Sequence, residues 1–134
     1  MVFGYLWEVK EYKKYFRIPA PPDEVYQALT IPTAIMLWTG EEAEMSTEPG
    51  SEFSLWSGNI VGRNVAFEEN RKVVQQWYFG EQEAESLVTL ILHPDEDGTS
   101  VELRHTNIPD EAYDEVVDGW TGLYFPSLRE FFEE

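Results

Sequence analysis

The sequence has no cysteine and few basic residues, and both absences exclude whole classes of protein. Without cysteine this chain forms no disulfide, thiolate zinc site or cysteine nucleophile, which is compatible with a reducing cytoplasm. Nine Lys and Arg stand against 26 Asp and Glu, giving a net charge of -17. Because nucleic acids and anionic membranes are bound mainly through Lys and Arg, we expect no nucleic-acid partner.

Long apolar runs are also missing. No stretch approaches the roughly 18 consecutive apolar residues that indicate a transmembrane helix, so no membrane insertion is expected. The apolar start, Met1 to Trp7, lacks a basic region and a small-residue cleavage site, and we predict no signal peptide. These observations together predict a cytoplasmic protein.

Signatures of catalysis and metal binding are equally scarce. The two histidines, His93 and His105, lack zinc-hydrolase spacing, and Gly-x-Ser-x-Gly and Gly-rich phosphate loops do not occur. We therefore predict no catalytic residue, no metal site and no cofactor. We expect His93 at a solvent-facing strand end. The parity of His105 places it inward, either as a hydrogen-bonded core histidine or as a ligand-contacting or acid–base residue.

Aromatic and apolar residues are abundant. The chain is 43% hydrophobic and contains five Trp, seven Tyr and eight Phe. Its 134 residues predict a single domain, spanning 1–134, that buries about two-thirds of its unfolded surface. We interpret the acidic clusters as solvated surface, and the alternative is a patch that docks a basic partner. The clusters are Glu41, Glu42 and Glu44; Glu81, Glu83 and Glu85; and Asp95 to Asp97.

Strands and helices are segregated along the chain, which predicts an α+β fold. Val9 to Ile18 reads as an edge strand before a proline-rich turn. Two short helices follow, from Pro21 through Leu29 and from Thr33 to Leu37. Beyond them the apolar period becomes two, and we predict six strands joined by short turns. These are Glu44 to Thr47, Glu52 to Ser57, Asn59 to Phe67, Lys72 to Phe79, Glu85 to His93 and Thr99 to Thr106.

A long helix is predicted to close the chain between Asn107 and Glu134. Pro109, followed by two acidic residues, is typical of a helix start. Three- and four-residue spacing then predicts an inward aromatic stripe, made of Val116, Val117, Trp120, Leu123, Tyr124, Ser127, Leu128 and Phe131. Pro126 clashes with the carbonyl four residues back, so we expect a kink there. It either fits the helix to the sheet or acts as a hinge that opens a cavity end.

Alternation along the strands predicts which side chains face this helix. The inner sets are Phe53 and Leu55; Val73, Gln75, Trp77 and Phe79; Val88, Leu90 and Leu92; and Val101, Leu103 and His105. The strand 59–67 is ambiguous, because one parity carries Arg63 inward and the other carries Ile60, Asn64 and Ala66. Gly58 and Gly62 indicate a local bend or bulge in it.

The aromatic interior is the candidate binding site. Large rings packed on a curved sheet either fill the core or leave an apolar cavity, and such cavities hold small ligands. Arg63, Gln75 and His105 are candidate polar anchors, and Arg63 would clamp a carboxylate if it points inward. We predict as ligand-binding residues Trp38, Phe53, Leu55, Arg63, Gln75, Trp77, Leu90, Leu103, His105, Val116, Trp120 and Tyr124.

Several stretches, taken in order, resemble one known family. They are residues 22–30, Glu48-Pro49-Gly50 with Phe53, and residues 58–62, 72–77, 98–106 and 119–120. On these motifs the chain resembles the bacterial relatives of the C-terminal domain of the activator of heat-shock protein 90 (Hsp90) ATPase. That family lies in the START-like, birch-pollen-allergen-like (SRPBCC) superfamily. The resemblance implies a helix-grip fold, with a curved antiparallel sheet around a long C-terminal helix and often a hydrophobic cavity.

We predict non-catalytic binding of a small hydrophobic or amphipathic ligand between the sheet and the C-terminal helix. One alternative is a stress-response or chaperone-associated protein with a partner of the Hsp90 type. Another is a cyclase- or hydrolase-like enzyme that uses His105 or Arg63. The sequence leaves open the ligand, the oligomeric state and whether the cavity is open.

Overall fold

The computed structural model describes residues 9–80 and 85–133. Within these ranges the chain forms one six-stranded antiparallel sheet, two short helices after the first strand, and a long closing helix. This is the α+β, helix-grip arrangement that the resemblance implies. The start Met1 to Trp7, the acidic residues Glu81 and Glu83, and the final Glu134 lie outside the described residues.

The sheet is a meander of its last five strands, to which the first strand adds an edge beside the final one. Its strands are β1 (Val9–Ile18), β2 (Glu52–Leu55), β3 (Ile60–Glu68), β4 (Lys72–Trp77), β5 (Ser86–Asp95) and β6 (Gly98–Pro109). They lie in the order β1-β6-β5-β4-β3-β2, so that β1 and β2 are its edges. Neighbours in sequence from β2 to β6 are neighbours in space, as the short turns predict.

The strand predicted at Glu44 to Thr47 is wrong. Within the described residues, this segment contributes an isolated bridge between Glu44 and Ser54. The Ser46 carbonyl accepts a hydrogen bond from the Asn64 side chain at 3.0 Å. Because the Ser46 carbonyl bonds to a side chain and not to a neighbouring strand, the segment packs as a loop against β3 and does not extend the sheet.

The helices begin at prolines or acidic turns. Helix α1 (Pro22–Thr30) and helix α2 (Pro32–Thr39) each carry proline in the first turn, where its missing N–H leaves no bond unmade. The closing helix comprises α3 (Tyr113–Gly119), a π-helical turn (Trp120–Tyr124) and α4 (Phe125–Glu133). A 3-10 turn (Asp110–Ala112) precedes it. Among the described residues, no helix has both the length and the apolar character needed to cross a membrane.

The closing helix is irregular immediately before Pro126. Since Pro126 has no N–H, the carbonyl of Gly122 loses its α-helical partner. In the preceding π-helical turn, the N–H of Phe125 donates to the carbonyl of Trp120, five residues back. Trp120 and Tyr124, at the two ends of this turn, are both buried. The wide turn therefore lies where the helix packs against the rest of the core.

Contacts at the far end of the closing helix fasten it to the edge strand. The rings of Phe125 and Phe16 stack with centroids 3.9 Å apart and planes within 6°. Arg129 donates from Nε to the carbonyl of Arg17 at 3.1 Å. These contacts hold α4 against β1 at the end of the helix.

Burial follows the predicted alternation on most strands. The side chains predicted to face inward are buried at Phe53, Leu55, Val73, Gln75, Trp77, Val88, Leu90, Leu92, Val101, Leu103 and His105. Phe79 lies beyond the end of β4 and is half-buried. The core therefore occupies the space between this face of the sheet and the helices.

A β-bulge explains why β3 has no single parity. Asn64 lies opposite Gln75, but the register then shifts and Ala66 lies opposite Val74. The extra residue in the bulge reverses which alternate side chains face the core. Ile60, Gly62 and Asn64 thus follow one parity and Phe67 the other. Each pattern seen in the sequence is correct for one half of the strand.

Arg63 faces away from the core. It lies opposite Gln76, and its Nη2 donates to Gln76 Oε1 at 3.2 Å. Its neighbours Gly62 and Asn64 are the buried residues of this half of the strand. The parity that carries Arg63 inward is therefore wrong, because it belongs to the half of β3 beyond the bulge.

Candidate ligand-binding cavity

A cavity of about 350 Å³ opens between the start of the closing helix and the adjoining ends of β3 and β4. We call it the aromatic cavity. Six aromatic side chains line it: Trp56, Trp77, Tyr78, Phe79, Trp120 and Tyr124. The other lining residues are Asn59, Ile60, Val61, Ala112, Glu115, Val116, Gly119 and Leu123. Its volume lies at the lower end of the roughly 300–1,000 Å³ typical of small-molecule sites.

Two local backbone features shape the cavity. Trp56 adopts a left-handed conformation, with φ of 53°, which ends β2 and turns its ring into the core. The ring then lies 5.8 Å from that of Tyr124 and 5.6 Å from that of Trp38, between centroids. On the helix side, Gly119 contributes no side chain, and a Cβ built there meets no atom within 4 Å. The absent side chain leaves this part of the cavity open.

Two stacked indoles form the inner wall. The rings of Trp77 and Trp120 lie 4.7 Å apart between centroids and are inclined by 25°. Trp77 Nε1 donates to Gln75 Oε1 at 3.1 Å, and Trp120 Nε1 donates to His105 Nδ1 at 3.0 Å. Because both indole N–H groups are used inside the protein, the wall offers a ligand mainly apolar ring surface.

His105 belongs to a closed hydrogen-bond chain. An indole N–H can only donate, so His105 Nδ1 accepts from Trp120 and the proton of the neutral ring lies on Nε2. Nε2 then donates to Ser86 Oγ at 2.9 Å, and Ser86 Oγ donates to the carbonyl of Thr106 at 3.2 Å. Burial lowers the pKa of His105 to about 3. His105 is thus a neutral histidine that ties the closing helix to β5 and β6.

A second chain of polar groups starts at Gln75. Its Nε2 donates to Asn64 Oδ1 at 3.1 Å, and Asn64 Nδ2 donates to the Ser46 carbonyl at 3.0 Å and to Ser51 Oγ at 3.1 Å. Gln75 and Asn64 are both buried. With Trp77 at its other end, this chain holds the loop around Glu48-Pro49-Gly50 against the sheet. The amide of Gln75 is used within the protein and is not displayed to a ligand.

Tyr124 retains a free hydroxyl at the cavity. The residue is 5% exposed, and its hydroxyl has no hydrogen-bond partner within residues 9–80 and 85–133. No fully buried side-chain oxygen or nitrogen in those ranges lacks a partner, so this oxygen is accessible. Burial raises the pKa of Tyr124 above its usual value of 10. The phenol therefore stays protonated and can donate or accept one hydrogen bond.

Glu115 is the charged group of the lining. It projects from α3 at the cavity mouth and is exposed. In the described part of the chain, no basic side chain forms an ion pair with it. Its negative charge therefore remains available at the entrance.

The structure separates the predicted ligand-binding residues into three groups. Trp77, Val116, Trp120 and Tyr124 line the aromatic cavity. The second group is buried away from that lining and consists of Trp38, Phe53, Leu55, Gln75, Leu90, Leu103 and His105. Arg63, on the outer face of the sheet, stands alone in the third. The cavity is thus confined to one end of the aromatic stripe.

The sequence patterns did not identify much of the lining, because these residues lie at strand ends and at the start of the closing helix. Leu123, Tyr78 and Val61 are 47%, 38% and 37% exposed, which is unusual for large apolar side chains around one cavity. The predicted strand continues to Phe79, whereas β4 ends at Trp77, before Tyr78, and the left-handed turn at Trp56 interrupts alternation. The available signal was Gly119, a residue without a side chain in the middle of an aromatic stripe.

The other histidine lies on the outer face of the sheet. His93 Nε2 is 2.8 Å from Glu102 Oε1, and Arg104 Nε donates to Glu102 Oε2 at 2.7 Å. These hydrogen bonds, from His93 and then Arg104, lower the pKa of the Glu102 carboxyl. Across the described residues, no three His, Cys, Asp or Glu side chains are grouped to hold a metal ion.

Comparison with known proteins gives a consistent match over most of the chain. A family model described as activator of Hsp90 ATPase homolog 1-like protein matches residues 19–133. An activator of 90 kDa heat shock protein ATPase homolog from Dictyostelium discoideum is 28% identical over 114 residues, which cover 83% of this chain and 30% of that protein. The chain spans between 18% and 34% of the lengths of the curated relatives that it matches.

Solved structures match over nearly the same region. An Hsp90 activator from Plasmodium falciparum has a TM-score of 0.75 and 26% identity, covering 83% of this chain and 87% of that one. CalU16 from Micromonospora echinospora has a TM-score of 0.78 and 31% identity, covering 93% of this chain and 77% of that one. The sheet and the closing helix are therefore common to this chain and to these proteins.

Proposed function

The chain belongs to the family of activator of Hsp90 ATPase homolog 1-like proteins, and we propose that it binds a small apolar or amphipathic molecule in the aromatic cavity without transforming it. One observation carries this proposal. Between the closing helix and the sheet lies about 350 Å³ of space lined by six aromatic residues, among which the Trp77 and Trp120 N–H groups are used inside the protein. Such a lining is suited to an apolar ligand.

The exposed apolar residues at the cavity mouth support binding. Leu123, Tyr78 and Val61 leave a third to a half of their surface in water. A ligand that covers them removes apolar area from water at about 25 cal/mol per Å². The space is therefore lined by groups that gain from being covered.

The positions of His105 and Arg63 disfavour the cyclase- or hydrolase-like alternative that would use them. General acid–base catalysis needs a titratable group positioned against the reacting atoms. His105 has both ring nitrogens in hydrogen bonds and does not line the cavity, and Arg63 lies on the other face of the sheet. We place this binding protein in the cytoplasm, in keeping with its lack of cysteine.

A cavity-blocking variant with a matched control tests the proposal. Gly119→Leu puts an isobutyl group into the aromatic cavity. Gly122→Leu makes the same change one turn away, outside the lining. A Cβ at either position meets nothing within 4 Å, so both variants should fold. Gently purified wild-type protein is examined by native mass spectrometry and then by a thermal-shift screen of lipids and aromatic metabolites.

We expect a retained small molecule or a screening hit with wild type and Gly122→Leu, and neither with Gly119→Leu. Replacing glycine within a helix should itself stabilise each variant by up to about 1 kcal/mol. Loss of binding would thus not reflect unfolding. Absence of any binder, or equal binding by all three proteins, would overturn the proposal.

The family match favours a second function, that of a chaperone-associated protein. The match covers residues 19–133, and the Dictyostelium relative is named as a homolog of the activator of the 90 kDa heat shock protein ATPase. For this chain, we propose an Hsp90-type partner held partly by charge, since the chain carries -17.

Capture from the cytosol of its own cell tests this second function. Immobilised protein should retain an Hsp90-type chaperone at low salt and release it at high salt. Capture of no chaperone at low salt would contradict it. Gly119→Leu serves as a control here, because filling the cavity should not affect a partner that binds the outer surface.

A further inference from the structure

The aromatic cavity has a charge preference that its apolar lining alone does not imply. We propose that its ligand is an organic cation, an ammonium or N-alkylated heteroaromatic compound, and not a fatty-acid-like anion. This inference rests on the proposed binding function and specifies the chemical class bound. Three features of the lining support it: ring surface, an unpaired carboxylate and the absence of basic side chains.

Ring surface is the first feature. Trp56, Trp77, Trp120 and Tyr124 all line the cavity, and the Trp120 and Tyr124 rings lie 4.6 Å apart between centroids at an angle of 55°. Rings inclined in this way present faces in more than one direction. The face of an aromatic ring is electron-rich and attracts a cation, most strongly in tryptophan. Walls of several such rings are how proteins recognise quaternary ammonium groups.

The charge balance at the mouth comprises the second and third features. Glu115 contributes a carboxylate, and no basic side chain among the described residues pairs with it. No Lys or Arg lines the cavity within residues 9–80 and 85–133, and the remaining residues of the sequence contain neither. Within the described residues, no Lys or Arg of the lining can therefore neutralise an anionic ligand, whereas a cation meets an available carboxylate.

Lys10, a basic residue beside the start of the closing helix, is engaged by other groups. Lys10 Nζ lies 3.1 Å from Asp110 Oδ1 and 4.9 Å from the centroid of the Tyr113 ring. The hydroxyl of Tyr124, a lining residue, has no partner among the described residues and can accept a hydrogen bond from an ammonium N–H. The net charge of -17 adds a field that concentrates cations near the mouth and repels anions.

Three bicyclic probes of nearly equal shape test the inference. They are 1-methylquinolinium (a cation), 1-methylnaphthalene (its neutral isostere) and 1-naphthoate (an anion). Dissociation constants are measured by NMR titration at low and high ionic strength. We expect the cation to bind roughly 2- to 30-fold more tightly than the isostere, as cation–π interactions imply. The anion should bind more weakly than both.

Two charge-removing variants locate the effect. Glu115→Gln should weaken cation binding by about 2- to 5-fold, as for an exposed charge pair, and leave the neutral probe unchanged. The control Asp118→Asn removes an exposed charge from the same helix, outside the lining. It should change neither the affinity for the cation nor the affinity for the neutral probe.

The possible failures are distinguishable. If the neutral probe or the anion binds at least as tightly as the cation, the charge preference is wrong while the binding function stands. If Glu115→Gln leaves the cation-to-neutral ratio unaltered, the role of Glu115 is wrong. If no probe binds, both this inference and the proposed binding function are overturned.

Discussion

Trp120→Phe is predicted to weaken the link between the closing helix and the sheet. The substitution keeps an aromatic ring at a position that is 1% exposed but removes the N–H that donates to His105 Nδ1. A buried acceptor left without its donor costs about 1–3 kcal/mol. The smaller ring also leaves a gap beside Trp77, which adds a cavity cost.

We therefore expect Trp120→Phe to lower the free energy of unfolding by about 2–4 kcal/mol. This is a large share of the roughly 5–15 kcal/mol typical of a domain. Urea unfolding followed by far-UV circular dichroism measures it, since that signal comes mainly from the backbone amides. The midpoint should fall with little change in slope.

A double-mutant cycle separates the hydrogen bond from the packing. In His105→Leu the indole N–H loses its acceptor, and in the double variant with Trp120→Phe neither polar partner remains. Because removing both partners leaves no orphaned group between them, the double variant should cost less than the sum of the single variants. A cost below about 0.5 kcal/mol for Trp120→Phe, or strict additivity, would refute the role assigned to this hydrogen bond.

Three further outcomes follow from particular contacts. Burial lowers the folded-state pKa of His105 to about 3 from 6.5, so the unfolded chain takes up the proton first as pH falls. The free energy of unfolding, measured with urea, should therefore drop by about 2 kcal/mol between pH 7 and pH 5. In His105→Gln the same change of pH should cause a smaller drop, and an equal drop would contradict this role of His105. Gly62→Ala should lower the free energy of unfolding by about 1–3 kcal/mol or more, because the added Cβ collides with the Gln76 carbonyl. The control Gly122→Ala should not destabilise the protein, since its Cβ meets no atom within 4 Å. Equal thermal midpoints for the two variants would contradict this prediction. Arg63→Gln should leave ligand affinity unchanged in calorimetry, and a substantial loss would mean that Arg63 reaches the cavity.

The overall fold was predictable because its signals are repeated along the chain. Period-two alternation placed Val73, Val88 and Leu103 on the inner face, and all three are buried. Three- and four-residue spacing after Pro109 predicted the closing helix. Its boundary shifted, because β6 continues to Pro109 and the helical turns start at Asp110. Such boundaries depend on hydrogen bonds that a spacing pattern does not encode.

The cavity was predictable only in part, because single-residue irregularities decide its lining. The bulge after Asn64 reverses the parity of β3, and left-handed backbone at Trp56 directs that ring inward. His105 has the parity of a ligand-contacting residue, yet Trp120 and Ser86 occupy both of its ring nitrogens. Alternation identifies a face of the sheet, but it does not show which residues on that face meet an open space.

The most direct test of ligand binding in the aromatic cavity is an NMR titration that follows the indole N–H signals, assigned through single Trp→Phe variants. With the tightest-binding probe, we predict the largest shifts for Trp56, Trp77 and Trp120, which line the cavity. The Trp38 signal should move less, because its N–H donates to the carbonyl of Ala28 away from the lining. In Gly119→Leu these shifts should disappear. A larger shift for Trp38 than for these three indoles, or equal shifts in Gly119→Leu, would contradict binding in this cavity.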